Sequence, residues 1–264
     1  MIDLSWSDVA RDEFKTQIEH SIALNTASQM GATDKAMDEF ITRLGCDKKG
    51  LMGKYLPDSN MIRFPFSSNR KRMSTIIENV DNGSSYGKRI CLKGASEIVM
   101  ASCNKAMNAD GQVVPLTDDI KGNLENVIKL FAEDALRTIC IAYKDLSPGE
   151  NGDRHDEMNF AVGGVKDVES SGFTLISIFG IMDIIRAEVP QAVADVQRAG
   201  VTVRMVTGDN IITAQAIAVL CNIIAKEDIG NPKIAMEGKE FFRLTGGLYC
   251  KKCDKDLPTD CKCP

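Results

Sequence analysis

The chain has no apolar run long enough to cross a bilayer. Its longest, FTLISIFGIM over 173–182, falls well short of the roughly 20 residues that a transmembrane helix needs. The opening MIDLSWSDVARDEFK is acidic and has no apolar core of the kind a signal peptide carries, so no secretory leader is expected from it. A basic excess is also missing. The net charge of -5 argues against a general nucleic-acid or anionic-membrane role, because such proteins carry a surplus of Lys and Arg. No internal repeat or low-complexity tract occurs, which removes solenoids and disordered tails. The nine cysteines are an odd number scattered through apolar segments as well as the C-terminal stretch, a usage that fits a reducing, cytosolic compartment better than a disulfide framework. What is present is ample apolar material. With 264 residues, 44% apolar and 26% charged, the chain can bury a large core and make more than one domain.

The apolar periodicity changes along the chain. Phe14, Ile18 and Ile22 recur every four residues and predict a helix from Ser7 to about Ala27. Thr33 can cap a second helix, with Met37, Phe40, Ile41 and Leu44 as its stripe and Gly45 as its end. Strand-like runs follow: MIRFPF, MSTIIENV and GKRICLK, the last two joined by turn residues. ASEIVMASC returns to helix, Thr117 can cap a longer one carrying Ile120, Leu124, Val127, Ile128 and Phe131, and LRTICIAYKD is again a strand. The breaker-rich 147–159 predicts a loop or linker. Beyond about position 172, strand FTLISIFGI, helix AEVPQAVADVQRAG, strand VTVRMV, loop TGDN and helix IITAQAIAVLCNII alternate as in a parallel α/β sheet. Two modules are therefore expected, 1–171 and 172–264.

Three places could carry chemistry. Thr207, Gly208 and Asp209, in VTGDN, end a predicted strand and open a helix, which puts a hydroxyl, a flexible backbone and a carboxylate where helix-terminal amides favour an anion. The same residues also make an ordinary capped turn. In LKGASE, Lys93 ends a strand and Gly94 allows a close approach to the backbone, so the ammonium could reach a phosphate or simply be solvated. Arg137 stands at a helix-to-strand junction, where its guanidinium fork suits phosphate oxygens or serves as a surface cation. A fourth stretch is unusual in composition. IRFPFSSNRKRMSTII sets Arg70, Lys71 and Arg72 directly before a β-branched run.

In order, FSSNRKRMS, KGASE, LRTICIAY, GIMDIIRAEVP and GVTVRMVTGDNI resemble the succession of motifs in P-type ATPases, and the last three are most similar in wording to plasma-membrane-type calcium pumps. The resemblance runs from about Ala32 to Glu240. It implies an α/β protein: an α+β nucleotide-binding domain with an antiparallel sheet and flanking helices, lacking its first strands. A partial haloacid-dehalogenase-like, Rossmann-type phosphorylation domain would follow. Residue by residue, the resemblance makes Phe66 the aromatic on which adenine stacks and Lys71 a cation of the pocket, with Arg70 and Arg72 on its polar rim. Lys93, with Gly94, would lie at the pocket floor, Arg137 would reach toward the phosphates, and Asp34 would face the adenine side where the family has a glutamate. Thr207, Gly208 and Asp209 would border the phosphorylation site. Asp183 and Arg186 match a hinge motif that normally contains a proline, here read as DIIR.

The expected partners are ATP and ADP, with Mg2+ as cofactor, and the membrane and actuator domains of a parent pump; neither nucleic acid nor direct membrane insertion is expected of this chain. The family's acceptor motif DKTGT does not occur in the sequence. The expectation is therefore a fragment, inactive alone, of a pump that couples ATP hydrolysis to Ca2+ export at the cytosolic face of a plasma membrane or internal store. Cys250, Cys253, Cys261 and Cys263 form Cys-x2-Cys and Cys-x-Cys pairs that could hold Zn2+. Two alternatives are a soluble haloacid-dehalogenase-like phosphatase, for which no Asp-x-Asp nucleophile motif is found at a strand end, and a non-enzymatic nucleotide- or metal-binding fragment.

Overall fold

Helical spacing at Phe14, Ile18 and Ile22 produces α1 (Arg11–Ala23), with Ile18 and Ile22 fully buried. The second apolar stripe is α2 (Ala32–Arg43), with Met37 and Ile41 inward. Gly31, not Thr33, is its N-cap residue, and Gly45, at φ 83°, takes the left-handed position just past its end. A further helix, α3 (Lys48–Tyr55), has no counterpart in the sequence reading, because KKGLMGKY carries no apolar stripe. The computed structural model describes residues 11–26, 31–55, 62–78, 87–146, 167–182, 185–246, 248–249 and 256–257. The expected linker over 147–159 lies outside them.

The strand-like runs become β1 (Ile62–Ser67), β2 (Arg72–Ile77) and β3 (Arg89–Ala95), followed by α4 (Ser96–Ala101), β4 (Cys103–Met107), β5 (Val113–Pro115), α5 (Asp118–Glu133), β6 (Leu136–Asp145) and β7 (Phe173–Met182). Thr117 does cap α5, accepting from the Ile120 amide at 3.4 Å. One mixed sheet of seven strands runs β1-β2-β3-β6-β7-β4-β5, antiparallel throughout except for the parallel β4–β7 pair. Alternation along β6 assigns its faces: Cys140 and Ala142 join the core under α4 and α5, while Ile139, Ile141 and Tyr143 join the one under α1 and α2.

The structure differs from the sequence reading at β7. FTLISIFGI is expected to open the second module, yet it lies inside this sheet between β6 and β4, because its alternating faces complete both cores, with Phe173 and Leu175 on one side and Ile176 and Phe179 on the other. The chain divides into two units: residues 1–132 with 136–182, and residues 183–264 with 133–135. The second unit contains α6 (Val189–Arg198), α7 (Ile211–Leu220), α8 (Gly238–Leu244) and a small hairpin of β8 (Leu248–Tyr249) and β9 (Asp256–Leu257). Its expected strand VTVRMV pairs with no strand among the described residues, and Val206 is 97% exposed. An extended apolar run holds as a strand only when a neighbour satisfies its backbone groups, and none is described here. No helix among the described residues is long and apolar enough to cross a membrane.

Candidate nucleotide site

In β1, an edge strand, Phe64 pairs with Ser74 and Ser67 with Arg72, so Pro65 and Phe66 together oppose Met73. This two-against-one bulge sits where a proline is tolerated, at a sheet edge without a ladder bond to lose. It also turns Phe66 outward. Phe66 is 61% exposed, whereas Phe64 beside it is buried in the core.

Met73 pairs in turn with Lys93 on β3, and Lys93 with Ile141 on β6, so the row from the bulge to β6 reads Pro65–Phe66, Met73, Lys93, Ile141. Lys93 lies on the sheet face covered by α1–α3 and is buried, with its ammonium paired to the Asp34 carboxylate in the first turn of α2. Burial pulls the Lys93 pKa below the ordinary lysine value, and the bond to Asp34 opposes that pull without cancelling it. Arg63 of β1 approaches the same carboxylate. Its Nε donates to Thr75 Oγ1 at 3.4 Å, and its pKa is lowered by desolvation, offset in part by Asp34. Arg137 of β6 pairs with Ile181 of β7 and precedes Ile139 and Ile141 in the same strand alternation, which places it on the same face beyond the C-terminal end of β3.

The basic stretch does not act as one rim. Arg70 and Arg72 turn to the opposite side of the sheet and bond to Glu169, so of the three cations Lys71 alone is on the solvent side. The correction has a physical cause: the fully buried Glu169 carboxylate requires compensating donors, which the Arg70 guanidinium and the Ser74 hydroxyl supply, while Arg72 donates to the Glu169 backbone carbonyl. Lys71 has φ 50°, a left-handed conformation that costs a non-glycine residue about 1–2 kcal/mol. Gly94 is explained by the same turn. A Cβ there would run into the Lys71 carbonyl oxygen and lie 2.8 Å from Arg72 Cα, so the close approach that a glycine permits is made by the protein's own backbone.

In the second unit, Thr207 Oγ1 donates to Asp209 Oδ2 at 2.9 Å and accepts from the Asp209 amide at 3.1 Å, while Asn210 Oδ1 accepts from the Thr213 amide to cap α7. These bonds describe a locally satisfied turn, with Gly208 in open space at its tip. Arg186 is exposed, and Asp183 lies outside the described residues. So do Cys250, Cys253, Cys261 and Cys263, and among the described residues no group of His, Cys, Asp and Glu is arranged to hold a metal. The residues that sequence reading missed are Arg63 and Glu169. Glu169 in KDVESSGF carries no local signal, because its partners lie about a hundred positions away.

A family model described as P-type ATPase, cytoplasmic domain N, matches residues 16–188. Among similar proteins, the plasma membrane calcium-transporting ATPase mca-1 of Caenorhabditis elegans is 38% identical over 85% of this chain. The plasma membrane calcium-transporting ATPase 4 of Homo sapiens is 39% identical over 86%, and the plasma membrane-type calcium-transporting ATPase 3 of Oryza sativa is 40% identical over 79%. The chain spans only 17–18% of the length of these relatives.

Proposed function

The chain belongs to the P-type ATPase cytoplasmic domain N family, and from that premise we propose that its first unit binds ATP as the cytosolic nucleotide-binding part of a calcium-transporting pump. One observation carries the reading: Phe66 is held largely in solvent by an edge-strand bulge, in register through Met73 with the buried Lys93–Asp34 pair. An exposed aromatic stacks on a base, and nearby cations attract the attached phosphates, a pairing worth roughly 1–3 kcal/mol per base for the stacking alone. Adenine would lie on Phe66, with Asp34 and Lys93 at the floor, and Lys71 and Arg137 would supply positive charge to the phosphates. Mg2+ would arrive with the nucleotide and neutralise phosphate charge.

In the parent pump, phosphoryl transfer from ATP to an aspartate drives Ca2+ export, and Thr207, Gly208 and Asp209 border that acceptor. The acceptor motif DKTGT is not part of this sequence, so the contribution of this chain is to hold the nucleotide. The relatives' names, together with the order of the motifs in this chain, support the calcium-pump reading over a free phosphatase. An open site gives weak binding, with a millimolar constant corresponding to about -4 kcal/mol. Titrating the chain with ATP and ADP while recording amide NMR shifts tests this. Saturating shifts should cluster on residues 63–73 and 93–94, and no shifts at several millimolar nucleotide would overturn the reading.

A further inference from the structure

The turn between β1 and β2 is gripped from the sheet face opposite Lys93. Glu169, in a short 3-10 turn at Asp167–Glu169, is wholly buried. Its Oε1 accepts from Ser74 Oγ at 2.5 Å, its Oε2 from Arg70 Nη1 at 2.6 Å, and its backbone carbonyl from Arg72 Nη1 at 3.0 Å. Arg72 also reaches Ser102 Oγ at 3.1 Å, and Arg70 reaches the Pro65 carbonyl in the bulge beside Phe66. The residue between the two arginines is pinned by its own backbone. The Lys71 amide donates to the Ser67 carbonyl at 2.8 Å, and the Lys71 carbonyl accepts from the Ala95 amide at 3.0 Å. Both flanking side chains are drawn to one face and the backbone is fixed, which leaves Lys71 exposed in its left-handed conformation. A glycine would take that conformation with less strain, so the surrounding bonds hold Lys71 against its own backbone preference.

We propose that Glu169 is a positioning residue for the nucleotide site: by holding Arg70, Arg72 and Ser74 it fixes the β1–β2 turn so that Lys71 projects toward the phosphates. The proposal rests on the reading of the first unit as an ATP site. It extends that reading to a residue on the far side of the sheet, reached only through the hairpin.

A double-mutant cycle tests it. E169Q keeps the shape of the side chain and the backbone carbonyl that holds Arg72, but removes the charge that holds Arg70. ATP dissociation constants are measured by NMR titration for the wild-type chain, E169Q, K71M and E169Q/K71M, with thermal melting to confirm that each folds. E169Q and K71M should each weaken ATP binding about three- to tenfold, and the double variant should be no weaker than K71M within about twofold, because both changes remove one interaction. A residue that merely stabilises the fold would cost the same factor in the K71M background as in the wild type. That result overturns the proposal, as does wild-type affinity in E169Q or in K71M. If E169Q does not fold, S74A replaces it, with the same non-additivity expected. A wild-type chain that binds no ATP would sink the site itself, whereas binding that K71M weakens and E169Q leaves unchanged would sink only the role of Glu169.

Discussion

Lys93 combines burial with an ion pair, and the balance between them has a measurable consequence. Its pKa in the folded chain lies below the ordinary lysine value of 10.5, chiefly through desolvation. Between the folded and unfolded values the unfolded chain therefore binds more protons, and stability contributed by this group rises with pH across that window. The cost of the buried ammonium is present in full below the folded pKa and fades toward pH 10.5. A D34N/K93M variant lacks both charges and should lack this slope. Urea unfolding of both proteins from pH 7 to 10 should show the wild type gaining stability relative to the variant as pH rises. A relative loss would mean that the Asp34 pair outweighs desolvation.

Among the elements, the β1–β2–β3 hairpin region carries most of what is particular to the site. Gly94 allows β3 to lie against the backbone of Lys71 and Arg72. G94A should cost about 1–3 kcal/mol, because the clash is with backbone and not with a yielding side chain. Its urea midpoint should fall, and the amides of 67–72 should shift in NMR; a midpoint within error of wild type would contradict the contact. This region also separates what sequence could show from what it could not. The positions of β2, β3 and β6 were legible because β-branched runs lie between turn residues, and Lys93 and Phe66 were legible as candidates from motif resemblance. The opposite orientations of Arg70 and Lys71 were not, since both are cations in adjacent positions and the ion pair that draws Arg70 inward is with the distant Glu169. The bulge that exposes Phe66 but buries Phe64 was likewise hidden, because one extra residue in a strand reverses a face without altering composition. The assignment of β7 failed for a related reason. A continuous apolar strand fits a parallel sheet or the middle of a mixed one equally well, and its partners decide which.

At the scale of the whole molecule, two units divide the chain, and the proposed nucleotide site lies in the first. Its seven-stranded sheet is covered by helices on both faces, so a largely exposed phenylalanine at its edge is not needed for the core. The second unit exposes Phe241, Phe242 and Leu244 along one short helix and leaves VTVRMV without a described strand partner. Its Thr207–Asp209 turn is satisfied by its own bonds, so its proposed place beside an acceptor aspartate belongs to the parent pump. Stability and binding can thus be separated in one comparison. Replacing Phe66 by alanine and measuring both ATP affinity and melting temperature tests whether this side chain stacks on adenine. With stacking, ATP affinity falls roughly fivefold or more in the variant, while the melting temperature changes by no more than about 2 °C, as expected for an exposed side chain. The contrary result is unchanged affinity with a melting temperature lowered by 10 °C or so, the mark of a core aromatic whose loss costs about 3–5 kcal/mol.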